Sequence, residues 1–418
     1  MHFLDLPLSK TIQHAIAEQG YTEATPIQEK AIPLILSGAD VVGCAQTGTG
    51  KTAAFAIPIV HQLHRMVGSS KRQKHIRTLV VTPTRELAVQ IGESFDTFAT
   101  YTNLRQLTLF GGVSQVPQVD QLKKGVDILV TTPGRLLDLF KQGHVNLDHV
   151  YHLVLDEADQ MLDMGFIHDV KKIVKLCPPN RQTLLFSATM PLSIRELAES
   201  LLNQPQYLAV APESTAADTV QQRLYPVAKA DKRKLLYHLI RNESMTDVLV
   251  FTRTKHGADN VVKALHKHGL TAEAIHSDKS QTARQRVLDG FKNKEIAVLV
   301  ATDIAARGID IHQLPYVVNF DLPNIPETYI HRIGRTGRAG HGGIALSFCS
   351  PDEQPYWKDI QRLVKANVKT ITDHPYPITT DAPKPEAQPN AKPDYRHKKK
   401  NPSGRKSANA KKNKKRWY

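Results

Sequence analysis

The sequence predicts an α/β chain of two tandem parallel-sheet domains, followed by a basic tail. Three observations carry this reading. Val41 to Thr52, VVGCAQTGTGKT, has the form strand, glycine loop, Lys-Thr, helix. Apolar β-rich runs then alternate with helical stretches, a rhythm that calls for parallel strands covered on both faces. The rhythm fades from Asn203 to Val220 and restarts at Val248.

Length and composition set the outer limits. At 418 residues the chain is long for one core, so two domains plus extras are expected. An apolar fraction of 41% is that of a globular protein. Cys44, Cys177 and Cys349 are widely spaced and form no CxxC pair, which argues against a disulfide framework or a zinc site and fits a reducing, cytoplasmic setting. The opening MHFLDLPLSK has no basic stretch followed by an apolar one, so no signal peptide is expected, and no apolar run approaches a membrane span. Charge is uneven. From Asp381 to Tyr418 there are 13 Lys/Arg against 3 Asp/Glu, a net +10 out of the chain's +15. A basic tail on a milder body suggests a polyanionic partner, most simply nucleic acid; a solvated solubility tail is the alternative.

In chain order, Ser9 is placed to N-cap a short helix bearing Ile12 and Ile16, with Gly20 as its stop. In GYTEATPIQ, Thr25-Pro26-Ile27-Gln28 has the form of a capping box. The functional alternative is an adenine reader, with the Gln28 amide on the base edge and Tyr21 stacking. In the loop that follows Val41-Val42, glycines at 43, 48 and 50 let backbone N–H groups converge on phosphate oxygens, and a helix N-terminus adds its partial charge. Lys51 would reach the β/γ-phosphates and Thr52 would ligate Mg²⁺.

Further strands are expected at Thr78–Val81, Leu107–Phe110, Val126–Val130, Tyr151–Leu155 and Thr183–Phe186. Ligand groups gather where strands end and helices begin. Those ends carry Arg85, Gly112, Thr132 and Arg135, which suit a sugar–phosphate backbone, although routine loop chemistry explains any one of them. Asp156 and Glu157 follow a buried strand beside a phosphate loop: the first can hold Mg²⁺, the second can position and deprotonate water. Helix-dipole preference alone would also favour acids here. Ser187 and Thr189 can relay the nucleotide state to the neighbouring acids, or cap a helix.

The second half has no phosphate loop of its own. Its expected strands are Val248–Phe251, Thr271–Ile275, Ile296–Val300 and Tyr316–Phe320. Arg335 and Arg338, spaced by glycines, suggest fingers that neutralise a γ-phosphate when two lobes close. A basic surface binding nucleic acid is the alternative, most apt for Arg332.

From Phe3 to about Val368 the chain resembles the DEAD-box RNA helicases. The motifs stand in family order: Phe3 upstream of GYTEATPIQ, then AQTGTGKT, PTRELA, GG, TPGR, DEAD, SAT, VFTRT, HSDKSQTAR, ATDIAARGID and HRIGRTGR. The flanking sequence is most similar to the bacterial RhlE-type branch. Ala24 replaces the more common Pro and Ser277 the common Gly of HGD, whereas Ala45 is normal for the family.

The resemblance implies two RecA-like domains with an ATP cleft between them and RNA across both lobes. It assigns adenine contact to Gln28 and Tyr21 with support from Phe3. It places Ala45, Gln46, Thr47, Gly48, Thr49, Gly50, Lys51 and Thr52 around the phosphates, with Mg²⁺ on Thr52 and Asp156. Lys51, Glu157, Arg335 and Arg338 are the implied catalytic set, and Asp310 the ribose contact. Asp159, Ser187, Thr189, Gln281, Arg307 and His331 would couple hydrolysis to closure, with Arg307 at the interlobe surface. Arg85, Gly112, Thr132, Arg135, Thr252, Arg284 and Thr302 would lie along the RNA. The expected division is 1–210, a linker 211–218, 219–372 and a disordered Lys-rich tail 373–418.

The expected activity is RNA-stimulated ATP hydrolysis that locally separates short duplexes or remodels RNA–protein complexes, with little sequence preference. Ribosome assembly or RNA degradation would be its setting, with no membrane partner. An ATP-switched RNA-binding or annealing scaffold and a DNA-translocating helicase are the alternatives.

Overall fold

The computed structural model describes residues 1–46, 48–67, 75–210, 220–306, 314–336, 342–364 and 368–378, with Ile304 by its backbone alone. Thr47, Arg307, Asp310, Arg338, the expected linker 211–218 and residues 379–418 of the tail lie outside the described residues. Met1–Ile378 form one compact unit containing two sheets.

The first sheet holds β1 (Val41–Cys44), β2 (Thr78–Val81), β3 (Gln106–Leu109), β4 (Ile128–Thr131), β5 (His152–Leu155), β6 (Gln182–Ser187) and β7 (Gln206–Ala209), in the order β3-β4-β2-β5-β6-β1-β7. The second holds β8 (Val220–Pro226), β9 (Val248–Thr252), β10 (Ala272–Ile275), β11 (Val298–Thr302), β12 (Tyr316–Asn319), β13 (Gly343–Cys349) and β14 (Lys369–Thr370), in the order β10-β11-β9-β12-β13-β8-β14. The second order repeats the first, strand for strand. All these pairings are parallel.

Alternation along each strand explains the apolar runs, because successive side chains go to opposite faces and both faces are covered. Leu153 and Leu155 enter one core while Val154 enters the other, where Phe55, Phe95 and Phe186 pack. In the second lobe Val248 and Val250 face one core, Leu249 and Phe251 the other.

Several expectations shift. Gly43 stands inside β1 rather than in the loop; a Cβ there would strike the Phe186 ring. Ser9 precedes the helix Lys10–Glu18 but its hydroxyl makes no cap; its backbone N–H donates to His61 Nδ1 at 3.0 Å. The stretch read as aperiodic contains β7, paired with β1 on the sheet edge. β8, β13, β14 and the helix Gln354–Val364 were not expected.

Candidate functional site

The phosphate loop is braced from the side. Gln28, 4% exposed, accepts the Thr25 N–H through Oε1 at 2.9 Å and donates through Nε2 to the Gly50 carbonyl at 3.1 Å. Thr25 Oγ1 donates to the Thr49 carbonyl at 2.8 Å. The capping box and the loop contact therefore coexist in one side chain. Gly50 has φ +88°, and a Cβ there would collide with the Gln28 amide, so both the backbone conformation and the close approach require glycine. Thr49 Oγ1 closes the turn onto the Gln46 carbonyl at 2.7 Å. Phe3 is buried and stacks at 6.0 Å on the half-exposed Tyr21.

Lys51 opens the helix Lys51–Val67 and is 5% exposed; its Nζ lies 3.3 Å from Glu157 Oε1. Burial alone would lower the lysine pKa, but Glu157, Asp156 and Asp159 outweigh it and raise the value. Gln160 Nε2 donates to the other Glu157 oxygen at 3.0 Å. Glu157 sits in the left-handed region at φ 55°, a conformation that costs a non-glycine residue about 1–3 kcal/mol and that neighbours must hold in place. Asp156, 2% exposed, accepts the Glu157 N–H at 3.1 Å. Burial, then the adjacent Glu157 charge, push its pKa up to about 7 against the pull of Lys51.

The next acid joins two loops. Asp159 Oδ2 accepts both the backbone N–H and the hydroxyl of Thr189 at 2.8 Å, and the Asp159 N–H donates to Ser187 Oγ at 3.2 Å. Across from it lies a cleft of about 120 Å³, lined by Gln46, Asp159 and Thr189 from the first lobe and by His331 and Arg335 from the second.

A broader groove of about 570 Å³ runs over the strand ends and brings Arg85, Thr132, Arg135 and Arg284 together. Gly112, at φ +80°, leaves room for the Arg85 guanidinium lying against it. Arg135 donates to Gln118 Oε1 at 2.8 Å and to the Val113 carbonyl at 3.1 Å. Thr252 and Thr302 are register partners at the ends of β9 and β11, away from this groove's lining.

Sequence reasoning missed Glu86. This buried carboxylate of the helix Arg85–Ala99 accepts from Gln281 Nε2 at 2.9 Å and pairs with Arg284 Nη2 at 3.1 Å, both on the second-lobe helix Gln281–Lys292. Arg284 thus faces a carboxylate as well as the groove. The only signal was Glu86's place directly after Arg85 in PTRELA. Gln160, next to the acidic run, was likewise passed over. Arg332, considered as a surface nucleic-acid contact, is 1% exposed. It pairs with both oxygens of Asp303 at 2.6 and 2.8 Å and donates to Asn319 Oδ1 and the Asp321 carbonyl.

Similarity to known proteins agrees with this geometry. A family model described as DEAD/DEAH box helicase matches residues 25–198, and one described as helicase conserved C-terminal domain matches residues 231–340. The DEAD-box ATP-dependent RNA helicase CshA of Geobacillus kaustophilus is 44% identical over 369 residues, 88% of this chain and 78% of that one. ATP-dependent RNA helicase CshA of Limosilactobacillus reuteri is 42% identical over 368 residues, 88% of this chain and 73% of that one. Among solved structures, S. cerevisiae Dbp5 bound to RNA and ADP BeF3 is 28% identical with a TM-score of 0.78, covering 88% of this chain and 95% of that chain. A DEAD box protein from the hyperthermophile Methanococcus jannaschii is 39% identical with a TM-score of 0.51, over 89% of this chain and 99% of that one. The relatives carry the name CshA, so the RhlE-type branch expected from the flanking sequence is not supported.

Proposed function

This chain belongs to the DEAD-box ATP-dependent RNA helicases, and on that premise we propose how its two lobes divide the work of RNA-stimulated ATP hydrolysis and local duplex separation. One observation carries the proposal: the buried Lys51–Glu157 pair, clamped by Gln160, stands in the first lobe while Arg335 lines the cleft from the second. An arriving phosphate competes for Lys51 and releases Glu157 to take a proton from the attacking water. Arg335 and Arg338 neutralise the γ-phosphate when the lobes close. Asp159, tied to Ser187 and Thr189, passes the nucleotide state toward the cleft, where His331 and Arg307 join the closing surface. Gln281 and Arg284 hold the lobes together through Glu86.

The base sits at Gln28 and Tyr21, with Phe3 behind, and Asp310 meets the ribose. The donor set fits Mg²⁺: Thr52 offers a hydroxyl, and Asp156 is a desolvated carboxylate that a divalent cation would relieve. Bound there, the ion would screen the charge of the phosphates.

RNA follows the groove through Arg85, Gly112, Thr132 and Arg135 to Thr252, Arg284 and Thr302. Contacts of this kind address the backbone and 2′-hydroxyls, so sequence preference is small. Closure bends one strand away from its partner. The boundaries 1–210, 211–218, 219–372 and 373–418, a cytoplasmic location, an RNA-tethering tail and work in ribosome assembly or RNA degradation complete the reading. Among the described residues no helix is long and apolar enough to cross a membrane.

The test is steady-state ATP hydrolysis with and without single-stranded RNA, with Glu157→Gln as control. Strong stimulation that the variant loses supports the reading. RNA binding without stimulation would replace it with an ATP-switched scaffold.

A further inference from the structure

The second lobe repeats the sheet order of the first, so its strands can be matched by position: β8 to β1, β12 to β5, β13 to β6. After β1 the helix opens at Lys51; after β8 the helix Lys232–Asn242 opens at Lys232. Both lysines are buried, at 5% and 1% exposure. Each meets an acid two residues past the end of the matching strand, Lys51 with Glu157 at 3.3 Å and Lys232 with Asp321 at 3.4 Å.

The lobes differ in what lies beside the lysine. The first has a glycine loop; the second has Val-Ala-Lys-Ala-Asp at 227–231 and no glycine. A carboxylate fills the second site. Glu353, 2% exposed and placed just past β13, accepts from Lys232 Nζ at 2.6 Å and Arg253 Nη2 at 3.0 Å; the Ser350 hydroxyl lies 2.9 Å from it but closer to Asp352 Oδ1, at 2.6 Å. It also accepts the backbone N–H groups of Ser350 at 3.1 Å and Leu322 at 3.2 Å. Two cations and two backbone N–H groups around one buried oxyanion form the donor set of a phosphate site.

We infer that the second lobe retains a phosphate-type oxyanion site, permanently occupied by the carboxylate of Glu353. The internal anion denies this lobe a nucleotide of its own and leaves the cleft nucleotide to the first lobe. With the side chain removed, the site accepts a free tetrahedral oxyanion such as inorganic phosphate or pyrophosphate. A plain buried ion network, the alternative, has no use for one.

Thermal melting of the full chain in phosphate against chloride at equal ionic strength tests this. Lys51→Ala is the background, which removes the first-lobe site. General salting by phosphate acts on every variant, so the reading is the difference between them. Adding Glu353→Ala should lower the melting temperature in chloride, with a saturable recovery of about 3–6 °C in phosphate that Lys51→Ala alone does not show. Adding Lys232→Ala as well should abolish the recovery. If the double variant is insoluble in chloride, its refolding yield in the two buffers is the readout, and recovery in phosphate alone is the expected result. Equal shifts with and without Glu353, a shift that survives Lys232→Ala, no shift, or equal insolubility in both buffers would overturn the inference.

Discussion

Removing the Glu86 carboxylate should uncouple the lobes without unfolding either. Its two oxygens are split between Gln281 and Arg284, one helical turn apart on the facing helix, and all three residues are at most 8% exposed. In Glu86→Gln the amide oxygen can accept from Arg284 while its NH2 donates to Gln281 Oε1, which has no partner in the wild type and is reached by turning that amide over, so only the charged component of the Arg284 contact disappears. The difference between a charge-assisted and a neutral hydrogen bond is about 1–2 kcal/mol. Glu86→Ala leaves both partners unsatisfied, and breaking a buried pair costs about 3–5 kcal/mol. Because the pair spans the lobes, that cost falls on closure.

At 1.36 kcal/mol per tenfold, RNA-stimulated kcat/KM should fall about 5- to 30-fold for Glu86→Gln and by more than about 100-fold for Glu86→Ala. The assay is steady-state ATP hydrolysis over a range of RNA, beside a melting curve and RNA-free ATP binding. Both controls should stay near wild type. Full RNA stimulation in Glu86→Ala would refute the coupling. A drop in melting temperature matching the drop in activity would mean that Glu86 merely supports its own lobe.

Three further outcomes are expected. His152 is buried beside Thr78 Oγ1 at 3.1 Å and Gln62 Oε1 at 2.8 Å, and burial lowers its pKa from 6.5 to about 3. The unfolded chain then takes up the proton first, so stability falls with pH below 6.5 at up to about 1.4 kcal/mol per unit until about 3; His152→Gln should flatten denaturant midpoints measured across that window. Gly50→Ala forces a Cβ into Gln28 at a positive φ, so ATP affinity should drop by about 1–3 kcal/mol in a titration. Deleting residues after Pro377 removes the +10 charge of residues 381–418. The slope of log affinity for RNA against log salt should then shrink by about 0.7 for each phosphate that the tail no longer neutralises, while the ATPase maximum at saturating RNA is kept; an unchanged slope would sink the tethering role.

How legible the molecule was depended on whether the information was local. β2, β4 and β5 are buried on both faces, so their apolar runs stand out unaided. β7 carries Gln206 and the exposed Tyr207 on a sheet edge, and β8 reads VQQRLYP; neither has the run that a buried central strand shows. Lys51, Asp156 and Glu157 could be singled out as candidates because their residue types match a chemistry at fixed spacing. Glu86 and Gln160 were not, since each acts through a partner side chain that only the fold identifies. Arg332 was misread for the same reason: a buried and an exposed arginine look alike in sequence, and the partners that decide lie on β11, β12 and their loops.

Those partners of Arg332 also bear on how the second lobe moves. Its guanidinium packs over the Phe251 ring at 5.0 Å while holding Asp303, Asn319 and the Asp321 carbonyl, which pegs the helix Pro326–Ile333 to the ends of three neighbouring strands. His331 and Arg335, on either side of that peg, cannot swing as independent arms without tearing several charge-assisted bonds from a dry interior. They travel as teeth cut into a solid wheel, so the distance from Arg335 to the first lobe reports the angle of the entire domain. A single distance probe on this helix would therefore read the domain's rotation through the ATP cycle.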